Sequence, residues 1–565
     1  MARRDSVIIV GSGAGGSVAA WQLVRAGHDV LILEKGRNLL PGLGAHGRIG
    51  SRFGNDEVKA ERFFENQDPL LEPRTARTQD EAGRGLDRSF TGDVNDLPTI
   101  VGGGTAHWDA KVPRFWRQDF KGLSLHGPVP GANVADWPLT YEELEPLYDA
   151  VERRLGVQGD RARMPAATLA QAPRRHGFAM SPNPPMYGGS LLAKGAESLG
   201  FHPYPFPQAV NSRRFDGRPR CNSCGYCSGF GCPINARGGA AVSFLHHALR
   251  AGARLRSRCF VHRIDLSRDG RRAIGVSYLD RHGRRRHERA DVVIVAASAI
   301  ETARLLLLSA TPKHPGGLGN RSGQLGRNLM FHHFTQAAAF FSEEVHAYRG
   351  PSTTVTIDDF VGPDFGHAAN AAGLPYLKGG ICEVGGTLTL LAEAKAYAGI
   401  GGIWGRAHKD LMRSGTVRNH VAGISMIGED LPQLANRVDL DPAIRDVYGF
   451  PVPRITYSPH VHELAASAYY QPKLEAICQA APGATSGLAF DTDAPAPGAL
   501  PSTRHIMGTA RMGASADSSV VDGFGRVHEI EGLVIADGSV FASSGGFNPT
   551  LTIMALALRA ARHLG

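Results

Sequence analysis

The pattern of apolar and polar positions at the start of the chain predicts a strand, a helix and a second strand. Residues 6–10 (SVIIV) form an apolar, largely β-branched run of strand length, and residues 17–28 (SVAAWQLVRAGH) follow a helical period. A second apolar run, DVLILEKG, contains Glu34 at its polar end. The unit spans about thirty residues, the usual length of a strand–helix–strand motif.

A glycine motif connects the first strand to the helix. Gly11, Gly13 and Gly16 follow the spacing G-x-G-x-x-G. In this motif the first glycine allows a tight turn, the second lets the backbone approach a pyrophosphate, and the third lets helix and strand pack closely. Glu34 stands where a carboxylate accepts hydrogen bonds from a ribose hydroxyl. The motif predicts a dinucleotide site, but by itself it does not distinguish FAD from NAD.

Two further patterns predict local structure. Residues 549–561 (PTLTIMALALRAA) have a helical period, and Asn548 before Pro549 is a favourable N-cap. The most basic run, RHGRRRHER at residues 281–289, lies between two strand-like segments, YLD and ADVVIVAA. It is therefore predicted to form a solvated hairpin turn.

Composition and charge then limit the classes of protein. With 565 residues the chain exceeds the roughly 250–300 residues of a single core, so more than one lobe is expected. The net charge is +9, yet the positive residues are dispersed, which argues against nucleic-acid binding. We find no apolar stretch long enough for a transmembrane helix and no secretory signal pattern. A cytoplasmic location is expected; the alternative is periplasmic, by export together with a signal-bearing subunit.

Four of the seven cysteines are close together in the sequence. The segment CNSCGYCSGFGCP places Cys221, Cys224, Cys227 and Cys232 at the spacing C-x2-C-x2-C-x4-C-P. This is one residue away from the bacterial ferredoxin run, and the intervening glycines permit a tight loop. The segment is interpreted as a metal site holding an iron–sulfur cluster, with unliganded or disulfide-paired cysteines, or zinc, as alternatives.

The C-terminal segment carries a family resemblance. HIMGTARMG (505–513), SSVVDGFGRVHEIEGLVIADGSVF (518–541) and GFNPTLTIMALALRAA (546–561) resemble the closing region of glucose–methanol–choline (GMC) oxidoreductases. VGGGTAHW at 101–108 and ADVVIVAASAIETARLLLLS at 290–309 extend the resemblance over nearly the whole chain. Within the family the chain is most similar to bacterial gluconate and FAD-glucose dehydrogenase large subunits.

The resemblance implies an FAD cofactor and assigns roles to individual residues. His505 matches the catalytic histidine, and Asn548 matches the second active-site position, which is His or Asn in the family. His107 stands where some relatives bind flavin covalently. The other residues expected at the cofactor are Gly11, Gly13, Gly16, Glu34, Gly103, Gly104, Val261, Asp537, Pro549 and Thr550.

The resemblance also implies an α/β fold with two lobes. A Rossmann-like FAD-binding lobe is expected from residues 1–40, 90–125, 235–315 and 500–565. A second, α+β substrate lobe is expected from residues 126–234 and 316–499, with VAGISMIGEDL (421–431) and RITYSP (454–459) in its antiparallel sheet. Residues 41–89 are expected to form a loop-rich lid.

The expected function is FAD-dependent oxidation of an alcohol to a carbonyl, by hydride transfer to flavin N5. The expected substrate is a small molecule with a sugar, sugar-acid, glycoside or polyol hydroxyl, and the electrons are expected to pass to an acceptor other than oxygen, such as a quinone or an acceptor protein. The alternatives are an oxidase that produces hydrogen peroxide and, from another class, a non-catalytic flavoprotein subunit. Iron–sulfur clusters occur in glucose dehydrogenases of this family, although at a different cysteine spacing. The sequence carries no signal for the oligomeric state.

Overall fold

The structure is a computed structural model, and it describes residues 5–54, 72–92, 98–351, 353–386, 390–399, 401–491, 500–501 and 503–564. Within these residues no helix is long and apolar enough to cross a membrane.

A five-stranded parallel sheet forms the centre of the first lobe. The predicted strand–helix–strand unit is confirmed: the first strand pairs in parallel with the second strand on one side and with Val292–Val295 on the other. The helix between them ends at Gly27, whose φ of 95° closes it. In spatial order the strands are Leu533–Ile535, Val292–Val295, Ser6–Val10, Asp29–Glu34 and Arg254–Ser257.

A six-stranded antiparallel sheet forms the centre of the second lobe. Helices Tyr187–Ser198 and Val461–Ala480 pack on it and bury a separate apolar cluster. In spatial order its strands are Ala484–Asp491, His333–Phe341, Val421–Gly428, Cys382–Val384, Val355–Ile357 and Tyr204–Pro205. The predicted strand at 421–431 is therefore confirmed in the antiparallel sheet.

The remaining strands of the described residues form three smaller sheets. One contains Arg437–Arg445, Pro451–Thr456, Arg74–Arg77 and Phe90–Gly92; the second contains Phe260–Leu266, Ala273–Leu279 and Arg285–Arg289; the third contains Pro363–Asp364 and Leu377–Lys378. The α-helices of the described residues are Ala14–Ala26, Gln79–Gly83, Gly122–His126, Tyr141–Leu155, Ala166–Gln171, Tyr187–Ser198, His246–Arg250, Ala299–Leu308, His367–Ala371, Leu390–Gly399, Gly405–Ser414, Thr416–His420, Val461–Ala480 and Thr550–Leu564.

The small sheets correct three sequence predictions. The strand expected at 454–459 lies at Pro451–Thr456 and pairs in parallel with Arg74–Arg77, outside the six-stranded sheet. In the expected loop-rich lid, 41–89, residues 41–54 contain no helix or strand, whereas residues 72–89 contribute that strand and a capped helix. Its segment 55–71 lies outside the described residues.

The basic run at 281–289 is the third correction. The hairpin is present, but the turn occupies residues 280–284 and Arg285–Arg289 form its second strand. This strand is mostly exposed and lies at the edge of its sheet. Positive side chains at an edge strand oppose pairing with another chain, which accounts for the charge without a nucleic-acid ligand. The predicted boundaries between the lobes stay a prediction.

Candidate active site

One cavity of about 430 Å³ lies beside the carboxyl end of the parallel sheet and extends to the antiparallel sheet. Gly11, Gly13 and Glu34 line it from the strand–helix–strand unit, and Phe334 and Glu383 line it from two strands of the antiparallel sheet. Crevices at the carboxyl ends of parallel strands are the usual ligand sites of such sheets. The two lobes therefore share this cavity.

The glycines of the motif have different physical tasks. A Cβ atom on Gly11 would lie 2.4 Å from the Ala296 carbonyl oxygen, and its φ of 96° favours glycine. A Cβ on Gly13 would meet only Gly103 Cα, at 4.0 Å, and one on Gly104 would meet no protein atom within 4 Å. Gly13 and Gly104 thus leave open space at the cavity wall, as the close approach of a pyrophosphate or a flavin requires. These residues fit an FAD.

All the predicted cofactor and catalytic residues line the cavity except Gly16. A Cβ on Gly16 would lie 2.1 Å from the Gly11 carbonyl oxygen, so this glycine serves the packing of the helix against the turn. Glu34 accepts hydrogen bonds from Ser12 N, Ser12 Oγ and Gly36 N. Asp537 accepts from Ser298, Thr302 and Ser539, and burial raises its pKa.

A buried charge cluster lines the cavity near Asn548. Lys111 Nζ donates to Asp109 Oδ2 at 2.8 Å and also to Glu383 Oε2. Burial works to lower the pKa of Lys111, but the two carboxylates outweigh it and raise the pKa. Lys111 is therefore charged, and its ion pair holds Glu383 in place.

Asn548 is held by Glu383 and does not cap the helix with its side chain. Its Nδ2 donates to Glu383 Oε1 at 3.1 Å and lies 3.3 Å from His505 Nε2, whereas its Oδ1 has no hydrogen-bond partner among the described residues. The helix begins at Thr550, where Ile553 N donates to the Pro549 carbonyl. The predicted N-cap role is wrong, because Oδ1, the atom that would accept from a helix N–H, accepts no hydrogen bond from any described residue.

His505 lies between Asn548 and a second histidine. Its Nε2 faces Asn548, and its Nδ1 lies 3.0 Å from Nδ1 of His332, whose Nε2 lies 3.3 Å from the Ser544 carbonyl oxygen. Burial, with a smaller contribution from the Lys111 charge, lowers the pKa of His505 to about 3. The imidazole is therefore neutral at ordinary pH and available to accept a proton.

The cysteine segment packs against the cavity but does not form the predicted metal site. Among the residues that the structure describes, no three His, Cys, Asp or Glu side chains could hold one metal ion. No disulfide bond joins any of the seven cysteines, all of which lie among the described residues. Arg237 explains the course of the segment: its guanidinium donates to the carbonyls of Ala106, Cys227 and Phe230, which fixes the segment's backbone against residues 104–107. The iron–sulfur and zinc interpretations do not fit this arrangement.

Four residues of the site were missed from the sequence. Asp109 and Lys111 directly follow the VGGGTAHW motif, and their charges within an otherwise apolar segment were the available signal. Glu383 lies in a three-residue strand, and His332 precedes a long one; neither carries a local pattern.

Comparison with known proteins identifies the family of the chain. Residues 132–334 and 432–557 match the N- and C-terminal models of the GMC oxidoreductases, and residues 9–49 match a Rossmann-like NAD(P)-binding model. The chain is 33% identical to paromamine 6'-oxidase of Streptomyces fradiae, over 98% of this chain and 90% of that protein. It is 30% identical to the fructose dehydrogenase large subunit of Gluconobacter japonicus, over 98% of this chain and 96% of that protein.

A solved structure confirms the fold. The crystal structure of pyridoxine 4-oxidase from Mesorbium loti superposes with a TM-score of 0.60 at 15% identity, covering 99% of both chains. The combined α/β architecture, with its Rossmann-like unit, is therefore that of a known enzyme fold. From the family models and the full-length relatives, the chain belongs to the GMC oxidoreductase family and is an FAD-dependent alcohol oxidoreductase.

Proposed function

We propose that the chain oxidises a hydroxyl group of a small polyhydroxylated molecule, a sugar, sugar acid, glycoside or polyol, and passes the electrons to an acceptor other than oxygen. The observation that carries this proposal is the position of His505 Nε2 and Asn548 Nδ2. They lie 3.3 Å apart on the wall of the cavity that Gly13 and Glu34 also line.

The two side chains can divide the work on one hydroxyl group. A neutral His505 accepts the hydroxyl proton at Nε2, which is general base catalysis. Asn548 donates an N–H to the same oxygen and stabilises the negative charge that develops there. FAD, when bound, supplies the acceptor for the hydride of the carbinol carbon.

The charge cluster and the relatives support a polar substrate. Asp109, Lys111 and Glu383 line the cavity together with His505, so the substrate meets charged groups that bind hydroxyls well. Two of the relatives are named for paromamine and fructose. Both names denote molecules with several hydroxyl groups.

The acceptor is the second part of the proposal. The fructose dehydrogenase large subunit is named as a dehydrogenase, and it matches nearly the whole chain. The relative named for paromamine is an oxidase, which keeps hydrogen peroxide production as the alternative outcome. We therefore expect reduced enzyme to react faster with a quinone or dye than with oxygen, and stoichiometric peroxide under air would replace this part of the proposal.

The first test is direct. Purified protein should be yellow, release FAD on denaturation, and lose its flavin colour anaerobically when mixed with members of a panel of sugars, sugar acids, glycosides and polyols. Simple alkanols of similar size serve as the matched control, and we expect them to reduce the flavin more slowly. A flavin that no member of the panel reduces would contradict the proposal.

The pKa of His505 predicts the pH dependence of flavin reduction. The base works when it is unprotonated, which holds above a pKa of about 3. The rate of anaerobic flavin reduction at saturating substrate should therefore stay constant from about pH 8 to about pH 5, and fall only as the pH approaches the pKa. Stopped-flow measurements across this range test it. A loss of activity with an apparent pKa near 6.5, the ordinary histidine value, would contradict it.

A further inference from the structure

His332 is fully buried beside His505 and lies outside the sequence motifs described above. It lies immediately before the strand His333–Phe341. Its Nδ1 lies 3.0 Å from His505 Nδ1, on the side of the ring opposite the cavity-facing Nε2. The two rings stand nearly perpendicular, at 89°. The nitrogen that faces the substrate is thus linked through one imidazole ring to a second histidine.

The proton positions along the hydrogen-bonded row of Ser544, His332 and His505 follow from which atoms can donate and which can only accept. A carbonyl oxygen can only accept, so His332 Nε2 must donate to the Ser544 carbonyl 3.3 Å away. Burial, together with the neighbouring His505 and Lys378, lowers the pKa of His332 well below its usual value. A neutral ring has one N–H only, so Nδ1 of His332 is an acceptor.

The accepting Nδ1 of His332 determines which ring nitrogen of His505 carries the proton. Of the two Nδ1 atoms, the one on His505 must donate, because the other carries no proton. His505 is also neutral, so its Nε2 carries no proton and acts as an acceptor.

The contact with Asn548, on the opposite side of the His505 ring, indicates the same tautomer. The ion-paired Glu383 carboxylate accepts from Asn548 Nδ2, which fixes the orientation of the amide. The amide nitrogen that faces His505 Nε2 is therefore a donor, and Nε2 must be the acceptor. Two independent contacts, on opposite sides of the ring, require one tautomer.

We propose that His332 is a positioning residue that holds neutral His505 in the tautomer with its proton on Nδ1 and so keeps Nε2 free to accept the substrate proton. This inference rests on the proposed function, since it assigns Nε2 of His505 as the base. Once His505 has taken the proton, its Nδ1–H remains bonded to His332, and a hydrogen bond from a charged donor is stronger than one from a neutral donor. His332 therefore also stabilises the imidazolium that forms during the reaction.

The Ser544 carbonyl is the fixed end of the hydrogen-bonded row that leads through His332 to His505. Ser544 is fully buried, its Oγ donates to the Asp430 carbonyl, and Asp430 N donates back to Oγ, both at 2.9 Å. The carbonyl that orients His332 is thus fixed by the backbone around it.

Two substitutions separate the role of His332 from simple packing. His332→Asn keeps an acceptor near the position of Nδ1, because the amide oxygen can take the proton of His505 Nδ1. His332→Leu fills a similar volume without any acceptor. We expect flavin reduction by substrate to slow about 100-fold in the leucine variant and by only a few-fold in the asparagine variant.

The solvent isotope effect gives a readout that packing does not change. In the leucine variant the tautomer must rearrange before the hydroxyl proton leaves, so reduction in D2O should be measurably slower than in H2O. The wild type and the asparagine variant should show a smaller effect. Flavin content and Tm are measured first, and reduction of each variant by dithionite serves as the control.

A second measurement needs no substrate. In holoenzyme labelled with 15N-histidine, His505 should show a protonated Nδ1 and an unprotonated Nε2, with the signals assigned by their loss in His505→Ala. Wild type that shows the opposite tautomer overturns the inference about His332, whatever the activity. Wild type reduced by substrate, with a leucine variant that is equally fast, overturns it too. A wild-type flavin that no alcohol reduces contradicts the proposed function instead, while the labelled histidine still reports on His332.

Discussion

Replacing His505 by alanine should leave FAD bound and slow the reduction of the flavin by substrate about 10²–10⁴-fold, the usual contribution of a general base. The expected loss follows from the geometry, because His505 Nε2 lies 3.3 Å from Asn548 Nδ2 on the cavity wall. Reoxidation of the reduced enzyme should change much less, since no alcohol proton is transferred in that step. Single-turnover stopped-flow at saturating substrate measures the two half-reactions separately.

The control for His505→Ala is another histidine at a distance from the cavity wall. His314 is half-buried, its Nε2 contacts the Gly270 carbonyl, and it does not line the cavity. His314→Ala should retain the wild-type rate of flavin reduction. A His505→Ala enzyme that reduces its flavin at the wild-type rate, with normal flavin content, would show that His505 is not the base.

The first lobe could be predicted from the sequence because its signals are local. The strand, the glycine turn and the helix follow one another within residues 6–34, and each has its own period or residue type. A local pattern does not predict which other strand a given strand pairs with. The strand expected at 454–459 lies at Pro451–Thr456, and its parallel pairing with Arg74–Arg77 joins segments almost four hundred residues apart.

The site residues also fall into those with a local sequence signal and those without one. The family motifs supplied His505 and Asn548, but the groups that orient them come from distant parts of the chain. Glu383 lies 165 residues from Asn548, and His332 lies 173 residues from His505. Each is a single polar residue whose meaning depends on a contact between lobes, so only the folded structure could reveal it. The cysteine run shows the reverse error, since a regular spacing predicted a convergence of side chains on one metal that the described residues do not show.

Gly15 should be the least tolerant glycine of the nucleotide-binding turn, although the motif gives it no role. A Cβ atom at this position would lie 1.6 Å from the Ala536 carbonyl oxygen, next to the strand Leu533–Ile535. Both clashing groups are anchored in backbone, so no side-chain rotation relieves the overlap, and the helix must move away from the sheet. We expect Gly15→Ala to cost about 3 kcal/mol of unfolding free energy or more, at the upper end for overpacking.

Gly13→Ala is the matched comparison, because it adds the same methyl group two residues earlier. Gly13 has φ −70° and ψ −159°, an extended conformation that alanine adopts readily, and its Cβ would contact only Gly103 Cα at 4.0 Å. The methyl group instead enters the space predicted for the pyrophosphate. After removal of the flavin, the Tm of Gly13→Ala should match that of the wild type, while its affinity for FAD falls about 10-fold or more. Gly15→Ala should show a lower Tm in both the flavin-free and the flavin-bound state.

If Gly13→Ala binds FAD as tightly as the wild type, the pyrophosphate does not approach this turn closely, and the assignment of Gly13 to the cofactor is wrong. If Gly15→Ala melts at the wild-type temperature, the close contact between the helix and residue 536 is wrong, and the fault lies in the packing of the first lobe and not in the cofactor site.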